Sequence, residues 1–455
     1  MDVDLIIKDG FLVMPETGVH KATLAIKEGR IVGNYEDSSH LQAREVIDAR
    51  GKYVLPGVIQ PHAHLGRLDG MKDYATETYS AVIGGVTTVL DFYRASGDYG
   101  EGLSKIINLI TGQSYIDFSF HFQVMSDVHL DNLSHYIQEL GISSFKFNMG
   151  YKGGESKEKG LAELNDGLMV AAFLKLGELK GAVACVHAEN SEIIAYHTAR
   201  LKGQGRDDLK AWSEARPAVS ETESIHRTLY FGELTGCPVY LVHVTTREGL
   251  RLVKAHRERG CSAVYVETCP QYLTHHMDSE LGRIGKFTPP LRTQADNEAL
   301  WQGLIRGEID TIGIDQNARK VDAEEISIWK RSTAPREAVT ALPVLISEGL
   351  HKRGLSIERI ASVTSTNAAR IFNLYPRKGS LNIGSDGDLV VVDIHLEKKV
   401  SKEIIKSYSD FSVYEGRTLK GWPVVTVSRG KVVMRNGDVI GEPGWGVFLE
   451  RKPNT

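Results

Sequence analysis

The sequence is poor in cysteine, with four residues among 455. No two of them stand in the C-x-x-C spacing of zinc knuckles and dithiol redox motifs. So few thiols exclude a disulfide-stabilised secreted scaffold and favour a reducing compartment. The four residues are Cys185, Cys237, Cys261 and Cys269.

The sequence also lacks a strong excess of charge of one sign and any long apolar run. Its 54 Lys and Arg residues against 58 Asp and Glu residues give a formal charge of −4, so there is no electrostatic reason to expect a nucleic-acid or anionic-membrane partner. No apolar stretch reaches the roughly 20 residues that span a bilayer. Acidic residues stand near the start, where a signal peptide would carry basic ones. We therefore expect a cytoplasmic protein with no nucleic-acid and no membrane partner.

The two ends of the chain share a β-rich pattern. Short β-branched runs alternate with Gly-containing turns, as in Thr23-Leu-Ala-Ile near the start and Gly387-Asp-Leu-Val-Val-Val near the end. No convincing helix occurs in the first fifty residues. The pattern predicts one discontinuous β-sandwich domain built from residues 1–55 and 378–455.

Residues 56–377 instead alternate short apolar runs with longer amphipathic segments. This alternation is typical of repeated βα units around a buried parallel sheet. Eight such runs occur, the number in a TIM barrel, whose sites form at the C-terminal ends of its strands. We therefore predict an α/β fold, with a (β/α)8 barrel beside the small β domain. The predicted strands are 54–60, 86–92, 118–124, 144–149, 183–187, 239–244, 263–268 and 311–315.

Segments between these strands have the apolar spacing of helices. Two connections, 188–238 and 269–308, are longer than a minimal βα unit requires. Loops of that length often contact substrate or another subunit. The predicted helices include 103–111, 168–179, 247–259 and 297–306.

Five residues of metal-binding types fall at the predicted C-terminal ends of strands. His62 and His64 alternate along an extended chain, so both can point at one metal ion. His187, His243 and Asp315 close the fifth, sixth and eighth strands. Taken singly, each is as readily a hydrogen-bonded core residue or part of a surface pair. Because a barrel gathers such residues around one axis, together they predict a metal site.

Lys146 stands between two phenylalanines in the fourth predicted strand. A charged ammonium there would be costly to desolvate. From the strand alone, a lysine that snorkels or pairs with a carboxylate is the simpler interpretation. Beside the predicted ligands, a lysine with a lowered pKa could instead react with carbon dioxide to give a carbamate, an anion that can bridge two metal ions.

The ordered set of these six residues resembles the binuclear site of the amidohydrolase superfamily, and specifically its cyclic amidohydrolases. Longer stretches narrow the resemblance to the dihydropyrimidinase and hydantoinase branch, and the resemblance covers nearly the whole chain. These stretches are Phe145-Lys-Phe-Asn-Met-Gly-Tyr151, Val266-Glu-Thr-Cys-Pro-Gln-Tyr-Leu273, Thr288-Pro-Pro-Leu-Arg292 and the segment 364–379.

The resemblance implies a hydrolase that opens the ring of a hydantoin or dihydropyrimidine-type substrate to an N-carbamoyl amino acid. Zinc is the favoured metal for imidazole and oxygen ligands, although manganese, iron or cobalt would accept the same set. A bridging water would be acidified to supply hydroxide, and Asp315 would carry its proton to the leaving nitrogen. The resemblance implies two divalent ions bridged by N6-carboxylated Lys146, with His62, His64 and Asp315 on one ion and His187 and His243 on the other.

Two further residues take roles from the resemblance. Tyr151, five residues after Lys146, would stabilise the oxyanion through its hydroxyl, although an aromatic ring that packs over the barrel mouth is the alternative. Thr288 stands where family members hold the substrate ring through backbone groups. The resemblance also implies a homotetramer or homodimer.

Three positions depart from the family pattern. Gln316 follows Asp315 where close relatives usually carry histidine, and Gln60 stands where many carry aspartate. Segment 337–339, Glu-Ala-Val, replaces the usual Gly-aliphatic-Glu. Since the metal-type residues are intact and the surrounding shell differs, we expect retained hydrolysis with an altered ring preference, or a site that is less efficient on ordinary dihydropyrimidines.

Three alternative functions stay open. An allantoinase-like or other cyclic ureide hydrolase would use the same ligands with a different ring pocket. A non-catalytic scaffold related to dihydropyrimidinases would have lost metal ligands, which are intact in this sequence. A metal-dependent deaminase of the same superfamily has no bridging lysine, so Lys146 and Tyr151 favour a cyclic amidohydrolase.

Overall fold

A computed structural model of the chain describes residues 2–36, 38–151, 163–320 and 326–453. The strands of these residues belong to two sheets. In chain order they are β1 (Asp2–Met14), β2 (Gly18–Lys27), β3 (Arg30–Tyr35), β4 (Gln42–Asp48), β5 (Tyr53–Pro56), β6 (Val58–Ala63), β7 (Val86–Tyr93), β8 (Asp117–Gln123), β9 (Ser144–Asn148), β10 (Val183–His187), β11 (Val239–Leu241), β12 (Val264–Thr268), β13 (Thr311–Ile312), β14 (Leu389–Lys399), β15 (Thr418–Ser428), β16 (Lys431–Arg435) and β17 (Asp438–Val439).

Most of the helices in the described residues lie between the strands of the central region, as predicted. The four predicted helices are confirmed, with bounds that agree within three residues. No described helix combines the length and the apolarity that crossing a lipid bilayer requires. In chain order the helices are α1 (Lys72–Ile83), α2 (Leu103–Thr111), α3 (Asp127–Asp131), α4 (Leu133–Gln138), α5 (Asp166–Glu178), α6 (Ser191–Gly203), α7 (Leu209–Ala215), α8 (Ala218–Thr235), α9 (Arg247–Glu258), α10 (Pro270–Thr274), α11 (Gln294–Arg306), α12 (Ala341–Val344), α13 (His351–Arg353), α14 (Ile357–Ala361), α15 (Asn367–Ile371) and α16 (Lys402–Ile405), with π-helical turns at Leu345–Leu350 and Ser362–Thr366.

Strands β6 to β13 form an all-parallel sheet in which each strand pairs with the next along the chain. The sheet closes through Gln316, which lies shortly after its last strand. The backbone N–H of Gln316 donates to the carbonyl of His62 at 3.0 Å, and the N–H of His64 donates to the carbonyl of Gln316 at 2.8 Å. Strands β8 and β10 are buried at every residue, as expected for a parallel sheet covered on both faces. The predicted TIM barrel is confirmed.

The remaining nine strands form a mixed sheet from both ends of the chain. Strand β5 lies between β1 and β14, so the N-terminal and C-terminal segments meet at that point. This sheet has its own apolar core, which includes Leu24, Ile26, Leu389 and Val391. The β domain built from both ends is therefore confirmed, while its boundaries at residues 55 and 378 stay a prediction.

The first predicted strand, 54–60, is wrong as a single element. It divides at Gly57 into β5, which belongs to the terminal sheet, and β6, which opens the barrel. Gly57 also packs closely on the barrel, because a Cβ at this position would lie 2.3 Å from Oγ1 of Thr87. One apolar run thus supplies strands to two sheets, which periodicity alone does not reveal.

A buried ion cluster joins the barrel to the terminal sheet. Lys378 is 1 % exposed, and its Nζ donates to Asp117 of β8 and to Asp388, just before β14, both at 2.6 Å. Asp386 lies 3.0 Å from the same nitrogen. A buried charge is tolerated only when it is paired. The cluster therefore fixes the barrel and the terminal sheet against each other.

Candidate active site and metal centre

A cavity of about 580 Å³ opens at the C-terminal ends of the barrel strands. Seven of the eight residues singled out from the sequence line it, and the eighth, His62, is wholly buried next to His64. The barrel thus brings all eight to one place. The seven lining residues are His64, Lys146, Tyr151, His187, His243, Thr288 and Asp315.

His62, His64 and Asp315 form the first cluster of possible metal ligands. Nε2 of His62 lies 3.3 Å from Nε2 of His64. Oδ1 of Asp315 lies 3.3 Å from the His62 nitrogen and 3.1 Å from the His64 nitrogen. The three ligand atoms lie within 4.8 Å of one another. Two imidazoles and a carboxylate at this separation are a donor set for one divalent cation.

His187 and His243 form a second cluster on the same wall. Nδ1 of His187 lies 2.9 Å from Nε2 of His243. Lys146, on the strand next to that of His187, is 3 % exposed, and its Nζ lies 4.4 Å from the centre of the Phe92 ring. The lysine ammonium thus faces an aromatic ring in a buried position between the two clusters' strands.

Two of these residues have a left-handed backbone. His243 has φ 41° and Asp315 has φ 56°, a region uncommon for residues other than glycine. Such strain is concentrated at functional sites, where the surrounding structure holds it in place. At both residues the chain has just left a barrel strand, and the turn directs the side chain to the cavity.

Two buried glutamates orient the histidines from behind. Oε1 of Glu267 accepts hydrogen bonds from Nδ1 of His62 at 2.6 Å and from the backbone N–H of His243 at 2.9 Å. Oε2 of Glu189 lies 2.8 Å from Nε2 of His187. A carboxylate behind a metal-ligating histidine fixes its tautomer and ring orientation. The sequence reading missed both glutamates, although Glu267 was a charged residue inside a predicted buried strand.

The protonation states of the buried groups fit metal binding. Burial holds the pKa of His64 and of His243 well below the ordinary value and lowers that of His187. Neutral imidazole is the form that binds a metal ion. Burial also lowers the pKa of Lys146 to about 8, so its amine is less costly to deprotonate near neutral pH.

Asp315 faces a cation that sequence reasoning did not find. Its Oδ2 lies 3.2 Å from a guanidinium nitrogen of Arg336, and both side chains are 6 % exposed. Burial alone would raise the pKa of Asp315, but Arg336, His62 and His64 hold it well below its ordinary value. The carboxylate is therefore ionised and held by partners on both oxygens.

Tyr151 and Thr288 lie on the cavity wall as well. The ring centre of Tyr151 is 5.5 Å from that of His187, which places the phenol beside the second cluster. The carbonyl of Thr288 accepts a hydrogen bond from Arg336 at 3.3 Å. Arg336 thus contacts both Asp315 and the backbone of Thr288.

The positions that depart from the family pattern surround this site. Gln60 accepts hydrogen bonds from the N–H groups of His62 at 3.1 Å and Ile314 at 3.2 Å. The Gln316 amide lies 3.4 Å from a carboxylate oxygen of Glu77. Glu337 accepts a hydrogen bond from Ser412 at 2.5 Å, and burial raises its pKa to about 7. All three side chains are buried supports, and none of them lines the cavity.

Comparison with known proteins identifies the family. A model of the Amidohydrolase family matches residues 53–433. A D-hydantoinase of Geobacillus stearothermophilus is 33 % identical over 467 residues, which cover 98 % of this chain and 96 % of that protein. An L-hydantoinase of Paenarthrobacter aurescens is 30 % identical, with 99 % and 98 % covered. The chain therefore belongs to the amidohydrolase family, which implies a binuclear metal site.

Solved structures agree with this assignment and narrow it. The crystal structure of dihydropyrimidinase from Brevibacillus agri has a TM-score of 0.91 at 29 % identity. A D-hydantoinase structure has a TM-score of 0.90 at 32 % identity, and in both cases 99 % of each chain is covered. Within the family the chain lies in the hydantoinase and dihydropyrimidinase branch, as its motifs predict. The prediction of an enzyme of the cyclic amidohydrolase type is confirmed.

Proposed function

We propose that this protein hydrolyses the cyclic amide bond of a hydantoin or dihydropyrimidine-type ring and releases an N-carbamoyl amino acid. One observation carries the proposal most strongly. Two clusters of buried histidines, one of them with a carboxylate, meet at one cavity, and each cluster is backed by a buried glutamate. A scaffold has no need of histidines held in one tautomer, whereas a metal-dependent hydrolase does.

The residues present fit two divalent ions, most simply Zn²⁺, with Mn²⁺, Fe²⁺ or Co²⁺ as other possibilities. When bound, such ions polarise the carbonyl of the substrate and lower the pKa of a shared water. Lys146 would bridge them after its neutral amine adds to carbon dioxide and loses a proton, which gives a carbamate. The proposed ligands are His62, His64 and Asp315 for one ion, His187 and His243 for the other, and Lys146 for both.

Three residues then handle the substrate. Asp315 accepts a proton from the attacking water and delivers it to the leaving nitrogen as the ring C–N bond breaks. The Tyr151 hydroxyl donates to the carbonyl oxygen as negative charge develops there. The backbone at Thr288 holds the ring, with Arg336 on its carbonyl. The water oxygen ends in a carboxylate, and the ring nitrogen ends in the N-carbamoyl group.

A turnover screen with metal analysis tests the proposal. Hydantoin, 5-substituted hydantoins, dihydrouracil, allantoin and dihydroorotate are incubated with one preparation whose metal content is measured. We expect about two ions per chain and ring opening of a hydantoin or dihydrouracil. A metal-free, inert and folded protein would instead support the scaffold alternative. Light scattering on the same preparation checks the proposed homotetramer or homodimer.

The carbamate has a separate test in Lys146→Ala. The variant should lose binuclear metal binding and hydrolysis, because no anion then bridges the two clusters. Lys175→Ala is the matched control, since Lys175 is exposed and contacts Asp131. Unchanged metal content and rate in Lys146→Ala would exclude the bridging role.

A further inference from the structure

The described residues that line the cavity are strongly cationic. Arginines and lysines from several loops surround the opening, while Asp315 is the only carboxylate among those lining residues. An uncharged cyclic substrate would need only a few hydrogen-bonding groups in the cavity wall, and it would not need many positively charged side chains. The wall outside the proposed metal ligands therefore points to an anionic ligand.

Three of these cations come from neighbouring strands of the barrel. Arg67 follows β6, Arg94 follows β7 and Arg319 follows β13. Strand β6 pairs with β7 on one side and meets Gln316 on the other, so the three loops are adjacent around the rim. We call Arg67, Arg94 and Arg319 the arginine corner.

Two members of the arginine corner, Arg94 and Arg319, are partly desolvated and lie near other cations. Burial and then Arg67 lower the pKa of Arg94, and burial, Arg67 and then Arg336 lower that of Arg319. These shifts record desolvation and mutual repulsion between like charges. An anion bound beside these guanidinium groups would offset that cost.

Two buried arginines of the cavity, Arg216 and Arg336, contrast with the half-buried Arg94 and Arg319. Arg216 pairs with Glu189 at 3.0 Å, and Arg336 pairs with Asp315 at 3.2 Å. Within the described parts of the chain, no carboxylate lies within ion-pair distance of Arg94 or Arg319. The buried Nε of Arg319 has no hydrogen-bond partner, which is also true of the Nε of Arg336. A guanidinium presents a planar fork that matches a carboxylate.

The arginine corner also adjoins the proposed reacting centre. Tyr151 is close enough to interact electrostatically with both Arg94 and Arg319, and its ring lies beside His187. We propose that the substrate is a cyclic ureide whose ring substituent carries a carboxylate, and that Arg94 and Arg319, with Arg67 at the rim, bind this group. The proposal rests on the proposed function and names the substrate class of that site.

A comparison of two substrates with the same ring and different substituents tests the carboxylate proposal. Hydantoin-5-acetate, which is anionic, and hydantoin-5-acetamide, its neutral counterpart of similar shape, are compared by kcat/KM with metal-loaded protein. We expect the acetate to be preferred at least about tenfold, the scale of one charge-assisted hydrogen bond. Arg94→Gln and Arg319→Gln should each bring that preference towards one, whereas Arg94→Lys retains part of it. Arg200→Gln, an exposed position outside the cavity, is the control that keeps the full preference.

The possible outcomes distinguish failure of the carboxylate proposal from failure of the proposed function. Equal kcat/KM for the two rings, or a preference unchanged in both glutamine variants, would overturn the carboxylate proposal and leave ring hydrolysis standing. If no ring is opened, the proposed function fails. Calorimetric measurement of the binding of the acetate and of the acetamide then decides whether the arginine corner recognises a carboxylate. Tighter binding of the acetate that is lost in Arg94→Gln supports the arginine corner, and equal binding refutes it.

Discussion

Glu267→Gln is the most informative single change in the proposed metal centre. Glu267 is wholly buried, and its oxygens accept hydrogen bonds from Nδ1 of His62, the N–H of His243 and the hydroxyl of Tyr240 at 2.6, 2.9 and 2.7 Å. Glutamine has the same size and can keep its oxygen on His62 and His243. Its NH₂ then faces Tyr240, which can turn to donate to Thr311 at 2.6 Å. The substitution therefore removes charge with little change of shape.

The magnitude follows from those contacts. Hydrogen bonds to a charged group contribute about 1.5–3 kcal/mol and neutral ones about 0.5–1.5 kcal/mol, so two retained bonds lose roughly 2 kcal/mol together. Loss of a carboxylate behind a metal-ligating histidine lowers metal affinity about 10–100-fold, which is a similar free energy. We expect this loss to appear in metal binding, because the negative charge of Glu267 stabilises His62 most when a metal ion is bound to that histidine.

Competition with a chromophoric zinc chelator measures the effect. Metal affinity of Glu267→Gln should fall about 10–100-fold. The apparent Tm of the metal-stripped protein should change little, because a neutral amide costs less to bury than a carboxylate and this offsets the weaker hydrogen bonds. Glu258→Gln, at an exposed helix end, is the control. Wild-type affinity in Glu267→Gln would refute the supporting role of this carboxylate, and a collapse of the metal-stripped Tm would show a purely structural one.

Three further predictions concern packing, pH and the junction between the sheets. In Gly313→Ala, the new Cβ would lie 2.2 Å from the Glu267 carboxyl carbon, so Glu267 must move. Metal analysis of this variant should show fewer than two ions per chain, and a content of two ions per chain would contradict the prediction. Glu337 has its pKa raised to about 7, above the value of 4.5 in the unfolded chain, so the folded state holds a proton that the unfolded state releases. The stability it contributes is present at low pH and is lost as pH rises from about 4.5 to about 7. The apparent Tm of Glu337→Gln, relative to that of the wild type, should therefore rise between pH 5 and pH 8. A Tm difference that stays constant over this range would exclude the raised pKa of Glu337. Lys378→Met leaves the carboxylates of Asp117, Asp386 and Asp388 buried without their shared cation. It should cost at least about 3–5 kcal/mol, read as a large fall in Tm, and wild-type stability would refute the role of this cluster.

Much of the barrel could be predicted because its strands carry a local signal. Residues 183–187 are predicted as a strand and form β10 with the same bounds, since a buried parallel strand requires an uninterrupted apolar run. The metal-type residues were found for a related reason. His187 interrupts such a run at its end, where a barrel opens to solvent.

Other features had no local signal. The run 54–60 is apolar on both sides of Gly57, so periodicity could not show that the chain passes from one sheet to the other at this residue. Gln316 closes the barrel through its backbone N–H and carbonyl, groups that every residue except proline provides. A side-chain pattern cannot report a contact that does not depend on the side chain.

By itself, the sequence determined the family, the barrel, and the set of histidines, lysine and aspartate that converge at its mouth. Those inferences depend on local periodicity and on ordered motifs. Only the tertiary structure decided what surrounds that set: Glu267 and Glu189 behind the histidines, Arg336 on Asp315, and the arginine corner. These side chains come from segments far apart in the chain, and their electrostatic effect depends on distance and burial, which no linear spacing encodes.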